Sequence, residues 1–245
     1  MTRTALVTGG SRGIGLAIAQ RLVRDGLRVC VVDINEKALA RLDEAGQGGD
    51  GRLEWRRASV VDRAEMERVM DDLVTRHGSL DVLVNNAGMT RPGTFLTQTD
   101  EDWDLVIDTN LKGPFVCSQV AAQHMKRTGG GAIVNIGSVS AHGIRSGPPA
   151  YAAAKAGLEG LTRNAAIDLG RDGIRVNLIV LGTIESEWLL QRKSEEELRE
   201  IRSSTLTGRL GKPDDVASVV SFLVSEDAGH VTGQLFSVSG GQWLP

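Results

Sequence analysis

Short, unbroken runs of apolar residues recur along this chain, each followed by a longer stretch in which apolar positions return every three or four residues. An unbroken run is the mark of a strand covered on both faces, and the longer period is that of an amphipathic helix. The runs predict strands at TALVT (4–8), RVCVV (28–32), LEWRRA (53–58), DVLVN (81–85), AIVNI (132–136), RVNLIV (175–180) and LFSVS (235–239). Helices are predicted near 13–25, 36–45, 63–77, 100–127, 151–171 and 213–225, with GQGGDG at 46–51 as a surface turn. This alternation is that of an α/β fold, a doubly wound parallel sheet of about seven strands with helices on both faces. In such a sheet the strand order reverses between the first and fourth strands, and ligands bind beyond the carboxyl ends at that point. The loops after the first, fourth, fifth and sixth strands are therefore the places to look for chemistry.

Composition narrows the class without changing this picture. The 245 residues contain no Pro- or Ser-rich linker and no internal repeat, so 1–245 reads as a single domain. A net charge of -3 with no dense Lys/Arg block argues against nucleic acid or an anionic membrane as partner. No stretch approaches the ~20 apolar residues that span a bilayer, and MTRTALVTGG has no apolar signal core, so a cytoplasmic protein is expected. Cys30 and Cys117 fit neither a metal spacing nor a disulfide framework, and both are expected in the core in a reducing compartment.

The loop after the first strand is TGGSRGIG (8–15), in which Gly9, Ser11, Arg12, Gly13, Ile14 and Gly15 lead into an amphipathic helix. Glycine allows the tight turn and lets backbone approach a pyrophosphate, whose charge sits at the helix N-terminus. Asp33 ends the second strand 24 residues after Gly9, where a carboxylate can take both ribose hydroxyls of NAD and repel the 2′-phosphate of NADP. Arg12 acts the other way, because a guanidinium beside this loop can receive that phosphate. The reading favours NAD(H) and leaves NADP(H) open.

A second signal lies in PPAYAAAKAG (148–157), which holds the only tyrosine of the chain among alanines that offer it little to pack against. A step of four on a helix places Tyr151 and Lys155 on one face. A phenol is a poor base at neutral pH, and a neighbouring ammonium favours the phenolate. A carbonyl accepting hydride needs a proton donor and a second hydrogen-bond donor held in place, which Tyr151 and Ser138 supply.

Together TGGSRGIG, NNAG (85–88), TNLKG (109–113), NIGS (135–138) and YAAAK (151–155) resemble the short-chain dehydrogenase/reductases, in order and along nearly the whole chain. Within that family the chain is most similar to bacterial 3-oxoacyl-carrier-protein reductases, through NNAGMTR, NIGSVSAHG, YAAAKAGLEG and TGQLFSVSGG. The resemblance implies a Rossmann-type fold, an active site of Asn110, Ser138, Tyr151 and Lys155, and a homotetramer built through the helices at 100–127 and 151–171 and the last strand. It implies that Asn86, Ala87 and Gly88 line the adenosine side, that Ser59 and Val60 lie near adenine, and that Gly182 and Ile184 lie near the nicotinamide, Ile184 at its carboxamide. It further implies that Lys155 grips the nicotinamide ribose and that Asn110 holds a water linking Lys155 to solvent. The chain departs from the family at Leu181, where Pro is usual before Gly182; the lost fixed φ is expected to loosen that loop. Ser59 replaces an acidic or amide residue facing adenine. Ser239 replaces an Asp before Gly-Gly, a change expected to touch only the packing of the C-terminal end.

The segment 183–210 is charged, lacks a strand pattern and carries an apolar WLL (188–190), and it is expected to be a lid over the substrate. Arg91, His142 and Arg145 are candidate contacts for a polar or anionic substrate, and Lys126, Arg127 and Arg171 for a docked carrier protein. The function expected is an oxidoreductase moving hydride between a nicotinamide cofactor and a ketone or secondary alcohol, with a 3-oxoacyl thioester as leading substrate. Asp33 supports a catabolic NAD-dependent dehydrogenase of a small alcohol or polyol as alternative, and a non-catalytic nucleotide-binding scaffold is the alternative of another class.

Overall fold

The computed structural model describes residues 2–44, 51–144 and 147–244. Residues 46–50 of the expected surface turn, and Arg145, lie outside the described residues. The sheet is parallel throughout and runs in the order β3-β2-β1-β4-β5-β6-β7, so β1 pairs with both β2 and β4 and the reversal falls between β1 and β4. The strands are β1 (Thr4–Thr8), β2 (Arg28–Asp33), β3 (Leu53–Arg57), β4 (Val82–Asn85), β5 (Gly131–Ile136), β6 (Ile174–Leu181) and β7 (Leu235–Val238). These bounds fall within one residue of the sequence pattern, and the fold class is the one expected.

Alternation within each buried run divides the core in two. Val7, Val31 and Val84 face α1 (Gly13–Arg24) and α9 (Pro213–Val224), where Ile18, Leu22 and Val220 are fully buried. Leu6, Cys30 and Leu83 point to the other side, against α3 (Arg63–His77) and the helices that follow β4. Both cysteines are free and buried, and burial pushes each thiol up to about 12, which makes them inert packing groups.

The helix α2 (Glu36–Glu44) is where the pattern places it, but the expected helix at 100–127 is two. α4 (Asp100–Ile107) and α5 (Gly113–Thr128) are separated by a wider π-type turn over Asp108–Lys112, closed by the Gly113 N–H on the carbonyl of Asp108. The reason is local: Pro114 has no N–H to return to the Asn110 carbonyl, so the α-helical ladder breaks there. The wide turn carries Asn110 inward to full burial, as such turns often do at functional sites.

The helix α6 (Pro149–Leu169) begins two residues before Tyr151. Segment 183–210 folds into α7 (Glu187–Arg192) and α8 (Glu195–Ser203), the latter opened by a capping box of Ser194 and Glu197. Leu189, Leu198, Ile201 and Leu210 give this segment a small core of its own.

Candidate active site

At the carboxyl end of β1 the chain turns through Gly9 at φ +63° and enters α1 at Gly13, φ +56°. A Cβ on Gly15 would lie 2.4 Å from the Gly9 carbonyl oxygen, and one on Gly9 would lie 2.7 Å from Ala87 Cα. Glycine is therefore required at both positions. The loop is held from β4 by Asn86, whose Nδ2 donates to the carbonyls of Thr8 and Gly9, each at 2.9 Å. Thr8 Oγ1 in turn accepts the N–H groups of Asn86 and Ala87 at 3.1 and 3.0 Å. Thr8 was not among the expected site residues. A hydroxyl at the last position of β1 was the available signal, and its partners are nearly eighty residues away.

No side chain caps the N-terminus of α1, its first turn carries no acidic residue, and a Cβ on Gly13 would meet nothing within 4 Å. Unmatched N–H groups facing open space beside a glycine turn fit the pyrophosphate of a dinucleotide. Ile14 is partly buried just inside this turn, and Arg12 is exposed at its mouth.

Asp33 stands at the end of β2 within reach of the same loop. Its Oδ2 accepts from Ser11 Oγ at 2.6 Å and Ser11 N at 3.3 Å, and its Oδ1 accepts from Asn35 N at 3.0 Å. The carboxylate is thus oriented before any ligand arrives. At the exit of β3, Ser59 N donates to Glu65 Oε2 at 2.7 Å, and Val60 is buried against Gly113. Gly88, after β4, packs so closely on Asn110 that a Cβ there would lie 2.8 Å from Asn110 Oδ1.

Across the reversal point, Ser138 follows β5 in extended backbone, and its Oγ accepts from Ser140 N and donates to Ser140 Oγ, each at 3.2 Å. The Ser138 hydroxyl acts on the Tyr151 phenol, lowering it by less than burial raises it. Lys155 is only 4% exposed; its Nζ donates to the Ile136 carbonyl at 2.8 Å and lies 5.6 Å from the centre of the Tyr151 ring. Asn110 Nδ2 donates to the carbonyls of Met89 and Val106 at 2.8 and 2.9 Å, which fixes it in the wall behind Gly88. Spacing alone led to the expectation that the ammonium favours the phenolate. In the folded chain burial is the larger effect: it pushes the Tyr151 phenol above its ordinary value and lowers Lys155 to about 8. The phenol therefore keeps its proton at neutral pH and is ready to donate it.

After β6, the loop expected to be loosened by Leu181 is held on both sides. Leu181 pairs with Val238 inside the sheet, Gly182 N donates to the Val238 carbonyl at 3.1 Å, and Thr183 N donates to Gln242 Oε1 at 2.8 Å. Ile184 is buried and bridges to Gly211. Ser239 binds the backbone of Trp243 through its hydroxyl, within the C-terminal packing.

The other candidates are placed less favourably for substrate. Arg91 Nε lies 3.5 Å from Asp102 Oδ1, so its charge is already matched. His142 stacks on Trp243 at 4.0 Å and lies 2.8 Å from Glu159 Oε1. Lys126, Arg127 and Arg171 are exposed, but at the ends of elements that lead into β5 and β6. Helices return antiparallel to the strands, so in this chain those cations lie at the amino edge of the sheet, opposite the site mouth where a docked carrier was expected to find them.

This geometry is that of a dinucleotide-dependent oxidoreductase, and comparison with known proteins agrees. The family described as enoyl-(acyl carrier protein) reductase matches residues 9–242. The chain belongs to the short-chain dehydrogenase/reductase family, whose members use a nicotinamide cofactor. It is 41% identical over 246 residues to a 3-oxoacyl-(acyl-carrier-protein) reductase of Staphylococcus aureus, covering 100% of this chain and 99% of the relative. A reductase of the same description from Thermotoga maritima is 38% identical, covering 98% and 97% of the two chains. The (2S)-((R)-hydroxy(phenyl)methyl)succinyl-CoA dehydrogenase subunit of Thauera aromatica is 39% identical, covering 99% and 97%.

Burial of Lys155 has a direct test in the ligand-free protein. Nitrogen-detected NMR of the lysine ammonium groups is expected to show one lysine titrating at about 8, assigned by its loss in Lys155→Met. The ammonium is complete below that pH and lost above it. A Lys155 that titrates near its ordinary value of 10.5 overturns this account of the site.

Proposed function

We propose that this enzyme interconverts a ketone and a secondary alcohol on a thioester substrate of the 3-oxoacyl class, with Asn110, Ser138, Tyr151 and Lys155 as its working residues. The observation that carries the reading is buried Lys155, held by the Ile136 carbonyl two residues before Ser138 and lying 5.6 Å from the centre of the Tyr151 ring, at the carboxyl edge of the sheet that holds the glycine loop. When bound, the nicotinamide supplies or takes up the hydride. In reduction, Tyr151 donates its proton to the ketone oxygen as negative charge develops there, while Ser138 gives that oxygen a second hydrogen bond. The phenolate left behind faces Lys155, and an ammonium at that distance offsets its charge. In the reverse direction Tyr151 takes the alcohol proton. Asn110 keeps the wall behind Gly88 in place, and to it and Lys155 we assign the water that returns the proton from solvent.

The thioester class is proposed from the names of the relatives, which are a carrier-protein reductase and a coenzyme A thioester dehydrogenase. The second of these, together with Asp33, supports a working direction of alcohol oxidation as the alternative. The complete set of four residues leaves the scaffold alternative without support. The segment 183–210 is proposed as the substrate lid, and 1–245 as one cofactor-binding and catalytic unit.

Assembly as a homotetramer is proposed from the faces of α5 and α6. Phe115 and Ile167 are 44% and 77% exposed on those helices, and the groove between them is floored by Ala122, Leu161 and Ala165. Such apolar exposure fits helix packing against a second copy. A cytoplasmic location is proposed because both cysteines are free and, among the described residues, no helix is long and apolar enough to cross a membrane. Light scattering at micromolar concentration is expected to give four times the chain mass of 26.2 kDa, and a stable monomer overturns the assembly.

The test of the chemistry is Tyr151→Phe, which removes only the hydroxyl. Cofactor binding is expected to survive while turnover of a 3-oxoacyl thioester falls by roughly 10²–10⁴, the loss of a general acid. Near-normal turnover removes Tyr151 from the mechanism.

NAD(H) is the proposed cofactor, with NADP(H) the alternative. A carboxylate and a 2′-phosphate at ~4 Å repel by a few kcal/mol at an effective dielectric of ~20. Exposed Arg12 offsets less, being mobile and screened. Wild type is expected to favour NAD(H) in kcat/KM, and Asp33→Ala to shift the ratio toward NADP(H), both measured from absorbance of the reduced cofactor. A wild type that strongly prefers NADPH refutes the assignment of Asp33 to the ribose.

A further inference from the structure

The residues after β7 touch both the turn that follows Ser138 and the segment that follows β6. Gln242 spans the two ends of segment 183–210: its Oε1 accepts from Thr183 N at 2.8 Å, and its Nε2 donates to Ser204 Oγ at 3.0 Å. Two residues earlier, the Gly240 carbonyl accepts from Leu206 N at 2.7 Å and from Thr207 N at 3.3 Å. A Cβ on Gly182 would come within 2.5 Å of Gln242 Oε1, and one on Gly241 within 2.6 Å of the Leu206 side chain. One residue on, Trp243 stacks on His142, in the short 3₁₀ turn that follows Ser138.

We propose that Gln242 is a positioning residue, whose side-chain amide clips the two ends of the lid together and holds the Gly182–Ile184 loop in register with them. This rests on the reading of 183–210 as a lid over the cofactor and substrate. The chemistry of the position is specific. Only a primary amide of this length presents an acceptor to Thr183 and a donor to Ser204 at once. A glutamate keeps the first and loses the second; a methionine fills the same space and makes neither. Leu181 lends the loop no fixed φ, and Thr183 is held from other parts of the chain, by Gln242 Oε1 on its N–H and by the Gly211 N–H on its carbonyl at 3.0 Å. The lid then moves on a hinge whose two ends share one side chain, and binding of the cofactor beside Gly182 is coupled to the setting of α7 and α8.

The experiment uses the full chain with Gln242→Met, Gln242→Glu, Ser204→Ala and the double variant Gln242→Met with Ser204→Ala. Three readings are taken: trypsin cleavage of the lid at Lys193, dinucleotide affinity by titration, and kcat and KM for the thioester. Gln242→Met is expected to speed cleavage at Lys193 and to weaken the dinucleotide about three- to tenfold, the scale of one or two ordinary hydrogen bonds. KM is expected to rise more than kcat falls. Gln242→Glu and Ser204→Ala fall between wild type and Gln242→Met, and Ser204→Ala adds nothing in the Gln242→Met background. Gln242→Met with wild-type cleavage and affinity overturns the proposal, and so does a lower melting temperature with affinity unchanged, which is the mark of a merely structural role. Cleavage and affinity need no turnover, so a wild type inactive on thioesters counts against the proposed substrate and leaves this test standing.

Discussion

Asn86 joins the exits of two neighbouring parallel strands, and much of the site is laid out from that join. The ladder between β1 and β4 ends at Val7 and Val84, and beyond it the two loops have no regular bonds to keep them together. The Asn86 amide supplies two, to the carbonyls of Thr8 and Gly9, and Thr8 answers with its hydroxyl. Such close approach is sterically possible only because Gly9 and Gly15 lack a Cβ. The glycine pattern thus serves the protein's own packing first. Backbone so held leaves the first turn of α1 facing open space without a cap, which is the condition for holding a phosphate there.

On the other side of the reversal point, burial acts on two groups in opposite directions. It raises the Tyr151 phenol and lowers the Lys155 ammonium, so that of the two the lysine is the stronger acid in the resting site. In the proposed mechanism the proton to be delivered therefore starts on the group assigned to touch substrate. Once Tyr151 gives it up, the new phenolate raises the proton affinity of Lys155, and the pair relaxes toward ammonium and phenolate. Lys155 is placed for this by the Ile136 carbonyl, one residue short of the turn that carries Ser138, so β5 sets both the donor and its electrostatic partner.

The strands were legible because each is a continuous apolar run, and the topology follows from their alternation with helices. The glycine loop and Asp33 stand out in the sequence because they lie at strand ends, and Tyr151 and Lys155 because they share one helix face, at spacings that short-range rules describe; Ser138 and Asn110 stand out only through the resemblance to the family. The break at Asn110 was not read, although Pro114 announces it, since the apolar period of 100–127 continues through the wider turn. Thr8, the Ser11–Asp33 bond and the Gln242 clip escaped for a different reason. Each depends on a partner that only the folded sheet brings close, and neither hydrophobic pattern nor motif spacing encodes such a pair. The basic residues at 126, 127 and 171 were chosen for charge, and charge does not say which edge of the sheet a helix end will reach.

The substitution of leucine for the usual proline before Gly182 shows how backbone order can be moved from one source to another. Proline restricts the unfolded chain as well as the folded one, so its loss frees conformations that folding must then restrict. In this chain Leu181 is the last residue of β6 and pairs with Val238 in the sheet. Gly182 follows with a bond to Val238, and Thr183 with a bond to Gln242. Rigidity that would have been local is now supplied by the residues after β7, and it arrives together with contacts to segment 183–210 and to the turn after Ser138. The order of the loop after β6 has therefore become a tertiary property, dependent on the same residues that hold Ser204, Leu206 and Thr207 after α8.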